Sequence, residues 1–271
     1  MFVKLYSLLA LLADVLFCFF SGVLNQWYDF WIPFVLFIAA FLGLIVLHLF
    51  ISAVASLFIN KKKPIDKPSK LHRWWAEHTT DIILFFCRIR VVVSNAQKIP
   101  KDRRFLMVSN HLSGLDPIVS MSVFKNLDIS FISKPENFKI PVVAPFIHKC
   151  GFLAIDRENA RNAMKTVHKA TEYVKNDVCS VFVYPEGTRS KTGELLEFKD
   201  GIFYISKKAS CPIVVLTIKN TDKVAKNFPF KSTRVEVDVH SVIEPEEFSQ
   251  QTTHLLSEKV RQIMLSALAN L

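Results

Sequence analysis

Residues 105–117 read Phe-Leu-Met-Val-Ser-Asn-His-Leu-Ser-Gly-Leu-Asp-Pro. The run FLMVS is strand-like, the next residues form a short polar loop, and the stretch from Pro117 has helical spacing. This strand–loop–helix unit is where α/β folds carry functional groups. Outward from it the same alternation continues. Strand-like runs occur at Arg90–Ser94, Phe105–Ser109, Ile129–Ser133, Phe152–Ile155, Val178–Val183, Ile213–Ile218 and Arg234–Val242. Between them Pro117–Lys125, Asn159–Asn176, Gly201–Ala209 and Glu246–Ala269 have helical spacing or length. The alternation predicts an α/β domain over residues 90–271, a central mixed sheet flanked by helices.

Toward the N-terminus the character changes. Residues 5–24 are apolar apart from Asp14, and residues 30–59 contain no Asp, Glu, Lys or Arg. Each is long enough for a bilayer-spanning helix, so residues 1–60 are expected to form a two-helix transmembrane hairpin. A cleaved signal peptide competes for the first segment. No small-x-small site follows it and a second apolar segment comes at once, which favours a retained helix. Trp27, Tyr28 and Trp31 in the linker suit a headgroup level. The segment KKKPIDKPSKLHR, Lys61–Arg73, carries six Lys/Arg against one Asp. By the positive-inside rule this puts both chain ends on the cytoplasmic side of the cell membrane, with the α/β domain of residues 90–271 on that face. A stop-transfer signal is sufficient to explain the lysines, and contact with anionic membrane lipids is the further reading. Residues 61–89 are thus a basic juxtamembrane segment followed by an interfacial amphipathic helix over residues 71–90.

The 271 residues are 51% hydrophobic with a mean hydropathy of +0.27, yet 21% are charged. A short membrane part joined to one soluble domain fits those values, and a disordered or collagen-like chain does not. Residues 1–60 have a net charge of −1, so the +10 of the whole chain belongs to the remainder. A free basic domain would raise nucleic acid as a partner. The two apolar segments and the lack of a basic, aromatic-interleaved motif argue against one. Five cysteines without a CxxC give neither a disulfide framework nor a zinc spacing, so no metal site is expected.

Three loops carry chemistry-bearing residues. In the first, His111 suits a general base near neutral pH, and Asp116 could hold the far ring nitrogen and stabilise the imidazolium. Alone, His-x4-Asp is more simply a strand-end His beside a helix-capping Asp. Ser113 lacks the Gly-x-Ser-x-Gly turn of a serine nucleophile. The second loop, Val183–Ser190, follows an apolar strand. Gly187 there lets backbone N–H groups approach an anion, and Arg189 offers a planar fork for phosphate. The third, Gly151–Arg157, ends a strand in a charged pair that by itself reads as a surface ion pair. Only Gly114, Gly151, Gly187, Gly193 and Gly201 lie outside the apolar segments, and four of the five fall in or near these loops. That placement favours close backbone approach.

NHLSGLDP, GFLAIDR, YPEGTRS and FKDGIF, in this order, resemble the ordered motifs of the lysophosphatidic acid (1-acylglycerol-3-phosphate) acyltransferase family over about residues 90–245. The resemblance implies that His111 and Asp116 are the catalytic pair. It further implies that Gly151, Arg157, Glu186, Gly187, Thr188 and Arg189 are substrate-binding, with Arg157 and Arg189 on the acceptor phosphate. Two positions depart from the pattern. Ala154 stands where a bulky aromatic is usual, and Val215 replaces the second proline that usually accompanies Pro212; both bear on acyl-pocket shape. The implied reaction is transfer of a fatty acyl group from an acyl thioester, acyl-ACP or acyl-CoA, to the sn-2 hydroxyl of lysophosphatidic acid, giving phosphatidic acid. His111 would take the hydroxyl proton, and no cofactor or metal is called for. Acylation of another lysolipid or of glycerol 3-phosphate is the near alternative, and a non-catalytic lipid-binding protein the distant one.

Asp14 and His48 are ionisable groups at membrane depth, where charge is costly. Counted inward from Trp27 and Trp31, they lie roughly 20 Å and 25 Å down their helices. Each either points separately into the bundle or snorkels; the sharper expectation is a structural pair.

Overall fold

The computed structural model describes residues 1–24, 29 and 31–269. Trp27 and Tyr28 lie outside the described residues. The chain divides into two compact units, Met1–Asn60 and Lys61–Leu271.

In the first unit α1 spans Phe2–Ser21 and α2 spans Trp31–Leu57. Both are long and apolar enough to cross a membrane. Helix α1 ends because Gly22 adopts the left-handed conformation, φ 60°, that closes a helix without a Cβ penalty. Asp14 and His48 are both buried, but they do not pair. Tyr6 Oη lies 2.9 Å from His48 Nδ1 and the Phe2 ring lies 4.9 Å from the imidazole, whereas Asp14 Oδ1 accepts from Cys18 Sγ at 3.7 Å. Of the two readings the separate placement is the one seen, because α1 stops at Ser21 and not at the linker tryptophans. Measured from the helix end, Asp14 lies only about 10 Å in, against about 25 Å for His48.

The second unit opens with α3, Lys70–Phe86, capped by Ser69, whose side chain accepts from His72 N–H. Arg73, Glu77, Thr80, Ile82 and Leu84 on α3 are buried. Arg73 donates to the carbonyls of Ile129 (2.5 Å) and Cys150 (3.1 Å), and Asp81 accepts from Lys125 (2.5 Å) and Ser122 (2.8 Å). These bonds fix α3 to the body of the α/β unit.

The strands are β1 (Ile89–Ser94), β2 (Leu106–Ser109), β3 (Ile129–Ser133), β4 (Leu153–Ala154), β5 (Ser180–Val183), β6 (Ile213–Lys219) and β7 (Thr233–Ile243). They form one seven-stranded sheet in the order β1-β7-β6-β2-β5-β3-β4. Strands β6, β2, β5, β3 and β4 are mutually parallel. β7 is antiparallel to β6, with an irregularity at Val215/Leu216, and parallel to β1. The sheet is therefore mixed, as the alternation predicted. Central strands are buried on both faces, so they read as continuous apolar runs. Leu106, Val108, Val181, Val183, Ile213 and Val215 point to one face; Met107, Phe182, Val214, Leu216 and Ile218 point to the other. On the first face lie α6 (Ala160–Lys175), α7 (Tyr204–Ala209) and α9 (Thr253–Ala269). On the second lie α3 and α4 (Asp116–Val123).

Two short helices, α5 (Val143–Lys149) and α8 (Val224–Asn227), escape the sequence pattern. Helix α9 starts at Thr253 and not at Glu246, because Pro245 and a Glu244/Glu247 capping box close a separate single turn first. The parallel strands all end at one sheet edge, and the loops after β2 and β5 share it.

Candidate active site

His111 stands two residues beyond β2, and its position is fixed by backbone bonds. Its N–H donates to Glu186 Oε1 (2.6 Å), and its carbonyl accepts from Ser190 N–H (2.8 Å). Glu186 is buried, and its other oxygen accepts from Leu196 N–H (2.9 Å). The loop after β5 thus grips the loop after β2. Burial pushes the Glu186 carboxyl above its ordinary range, against the pull of its two N–H donors. Both oxygens are spent on backbone, so the Glu186 geometry is that of a clamp rather than of the ligand-binding carboxylate implied by the motif resemblance.

The imidazole is oriented by two contacts. Nδ1 lies 2.7 Å from Asp116 Oδ2, and the Tyr184 ring stacks on it with centroids 4.3 Å apart at 22°. Asp116 opens α4 ahead of Pro117 and is fully buried. Its Oδ2 also accepts the N–H groups of Leu112 (2.7 Å) and Ser113 (2.8 Å), while Oδ1 accepts the Thr221 hydroxyl. Both oxygens of this buried carboxyl group are thus hydrogen-bonded within the protein. With the Nδ1 proton directed at Asp116, Nε2 is left as a proton acceptor. Burial holds the Tyr184 hydroxyl well above its ordinary range, so it stays protonated, 3.3 Å from Ser120 Oγ. Ser113 Oγ accepts from Leu115 N–H (3.2 Å) as a turn-forming group.

Below this pair, the Asn110 side chain donates to the Ile218 carbonyl (2.9 Å) and accepts Ile218 N–H (2.8 Å), stitching the end of β2 to β6. Asn110, Tyr184 and Thr221 are the positioning groups that motif spacing did not single out. Each sits at or just past the end of a parallel strand, and that position is the one signal they carry.

The remaining expected residues divide. Arg189 is exposed and lies over Gly114: a methyl on the Gly114 Cα would stand 3.7 Å from Arg189 Nη1. Gly187 has φ 70°, Thr188 beside it is exposed, and both are on the same loop. His111, Asp116, Glu186, Gly187, Thr188 and Arg189 therefore come together. Arg157, exposed, follows β4 at the same sheet edge, but β4 lies three strand steps from β2, about 14 Å. Gly151 is not at this edge. It precedes β4, its carbonyl accepts Ser130 Oγ (2.6 Å), and with φ 78° a methyl there would stand 2.6 Å from Pro68 Cγ. Close packing is what requires glycine at 151.

Comparison with known proteins finds relatives and a shared fold. Residues 90–219 match the family model named Acyltransferase. The chain is 26% identical over 189 residues to a 1-acyl-sn-glycerol-3-phosphate acyltransferase of Borreliella burgdorferi, covering 69% of this chain and 75% of that protein. It is 28% identical over 186 residues to the alpha form from Bos taurus, covering 68% and 64%. A chloroplastic relative from Brassica napus is 37% identical over 123 residues, 45% of this chain and 35% of the relative. The chain thus spans only about a third of that plant protein and slightly under two thirds of the bovine one. The crystal structure of the 1-acyl-sn-glycerophosphate acyltransferase PlsC from Thermotoga maritima superposes with a TM-score of 0.60 over 96% of this chain and 94% of that one. At 24% identity this establishes a shared fold. The stretch that matches the Acyltransferase family model, residues 90–219, is the one that holds the His111–Asp116 pair and the clamp that seats it.

Proposed function

We propose that this protein transfers a fatty acyl group from an acyl thioester to the sn-2 hydroxyl of lysophosphatidic acid, giving phosphatidic acid. The observation that carries the reading is the His111 imidazole held at Nδ1 by a fully buried, four-fold hydrogen-bonded Asp116. A binding protein has no use for a base so prepared. The named relatives supply the substrate class.

In the proposed step His111 Nε2 takes the proton as the acceptor hydroxyl oxygen bonds to the thioester carbonyl carbon. Asp116 stabilises the imidazolium that forms. Collapse of the tetrahedral intermediate breaks the carbon–sulfur bond, and the imidazolium returns its proton to the departing thiolate. A thioester is already activated, so an oriented base suffices; such a base contributes about 10²–10⁴-fold and positioning supplies the remainder. Arg189 and Arg157 are the cations assigned to the acceptor phosphate. The donor is an acyl-carrier-protein or coenzyme A thioester. The chain works at the cytoplasmic face of the membrane, a placement supported by the two apolar helices and the basic run Lys61–Arg73.

The test is an acyl-transfer assay on membranes holding the full chain, with labelled acyl-carrier-protein and coenzyme A donors. Lysophosphatidic acid, another lysophospholipid and glycerol 3-phosphate are offered as acceptors. Labelled phosphatidic acid as the main product is expected. Preferred acylation of either other acceptor, or binding without transfer, contradicts the reading.

A further inference from the structure

Between α8 and β7 the chain turns two phenylalanines outward. Phe230 is 87% exposed, more than any other large apolar side chain among the described residues, those of the two bilayer-length helices included; Phe228 is 51% exposed. One exposed apolar residue is ordinary on a protein surface. Two of them, separated only by Pro229, stand here on a loop that hydrogen bonds hold in place. Phe228 N–H donates to the Val224 carbonyl at 2.9 Å, Lys231 N–H to the Asn227 carbonyl at 2.8 Å, and the Asn227 amide to Thr233 Oγ1 at 2.9 Å. Val224 in turn is packed into the core. A fixed backbone therefore keeps both rings in solvent, where they contribute nothing to the core.

The surroundings are basic. Residues 219–234 hold Lys219, Lys223, Lys226, Lys231 and Arg234 against Asp222 alone. Lys226 and Lys231, both exposed, flank the two phenylalanines in sequence. Just before β1 the Arg88 carbonyl accepts Thr233 N–H at 3.0 Å, so the end of α3, with Phe85 and Phe86 exposed, meets the base of this loop. The loop also has a definite place. β7 is antiparallel to β6, so it begins at the sheet edge where β6 and β2 end, the edge that carries His111. Seven residues before Phe228, Thr221 gives its hydroxyl to Asp116.

We propose that the loop Phe228–Lys231 is a membrane-docking wedge: its two rings enter the headgroup–acyl boundary of a bilayer, and Lys226 and Lys231 meet anionic headgroups. A bilayer answers both halves of this surface, with apolar depth for the rings and negative charge for the cations. The same chain carries two helices of bilayer-crossing length, so a bilayer is at hand. The wedge is a separate contact, made by the α/β unit itself, beyond those helices and beyond α3. It stands without acyl transfer. With acyl transfer, it brings the edge bearing His111 to the leaflet that holds a lipid acceptor.

The test places a polarity-sensitive NBD label on Phe230→Cys in the full chain, reconstituted into vesicles. Cys18→Ser and Cys87→Ser silence the two native thiols that are not buried. Ser249→Cys, exposed and past the far end of β7, is the matched control. Both labelled positions are exposed, so neither substitution removes core packing. The vesicles are phosphatidylcholine alone, or with about one third phosphatidylglycerol, each with and without a lipid nitroxide near the headgroup end of the acyl chain. At position 230 the emission should shift to the blue and fall about twofold with the nitroxide, and further in the anionic vesicles. Lys226→Gln with Lys231→Gln should remove the anionic increment, and the label at position 249 should stay aqueous. An aqueous label at position 230, equal quenching at both positions, or quenching indifferent to phosphatidylglycerol would overturn the proposal. So would a blue shift that escapes the nitroxide and grows with protein density, which would assign the loop to a second copy of the chain. No readout here depends on acyl transfer, so a failed wedge and a failed acyltransferase reading are told apart.

Discussion

The backbone N–H of His111 donates to the buried carboxylate of Glu186 at 2.6 Å, so one loop of the site is seated on a side chain of another. The bond joins the loop after β2 to the loop after β5, and Leu196 N–H occupies the remaining Glu186 oxygen. The placement of His111 therefore depends on a residue that need not touch a substrate.

Glu186→Gln tests that division. The amide can accept one of the two N–H groups but turns its own NH2 toward the other, leaving a buried donor facing a donor, at about 1–3 kcal/mol. The displaced imidazole should lower kcat by about 10- to 100-fold with the acceptor KM within about twofold. Kinetics showing a raised acceptor KM at unchanged kcat would instead put Glu186 on the substrate.

Thr221→Val is nearly isosteric and removes only the hydroxyl that Asp116 Oδ1 accepts. The other three donors to Asp116 remain. Turnover should fall about tenfold and stability by about 1–2 kcal/mol, read by kinetics and by denaturant unfolding of the same preparation. No change in either would mean that the Asp116 charge is balanced without Thr221.

Glu77 gives a pH dependence with a definite sign. Burial in α3 pushes its carboxyl up to about 7, partly offset by Arg73. Between the ordinary value of 4.5 and about 7 the folded chain binds a proton that the unfolded chain has released. Stability is thus lost as pH rises through that window, and the loss is complete above it. Glu77→Gln removes this contribution. Unfolding measured at about pH 5 and about pH 7.5 should show the variant gaining on the wild type at the higher pH. A wild type–variant difference that is the same at both pH values would contradict the buried-acid account.

In the hairpin, Asp14 meets Cys18 while His48 meets Tyr6 and Phe2. Groups with separate partners lose stability independently. In a thermal-shift series on the detergent-solubilised chain, Asp14→Leu and His48→Leu should have effects that add. A double variant that recovers much of the loss would restore the direct pair.

How far the sequence speaks depends on what each residue answers to. The central strands β2, β5 and β6 were legible because burial on both faces makes their apolar runs continuous, as in Met107–Val108 and Val214–Val215, and β7 because its burial alternates. The His111 and Arg189 loops were legible because strand ends and sparse glycines mark them. Helix α5 was not, since seven residues including Pro145 carry little 3.6-residue periodicity. Thr221 and Tyr184 reach the site only through strand order, which places β6 and β5 on either side of β2, and sequence spacing does not encode that adjacency. Gly151 misled in the opposite direction: its motif position suggests a ligand, while its backbone answers to Pro68. The Asp14–His48 register failed for a local reason, the Gly22 cap, which shortens α1.

The most direct test compares wild type with His111→Ala for transfer of a labelled acyl group to lysophosphatidic acid in membranes, with thermal unfolding of both proteins as the control for folding. The account predicts labelled phosphatidic acid from the wild type and turnover lowered at least about 10²-fold in His111→Ala at similar stability. Turnover near that of the wild type in the folded variant would remove His111 as the base and contradict the account at its centre.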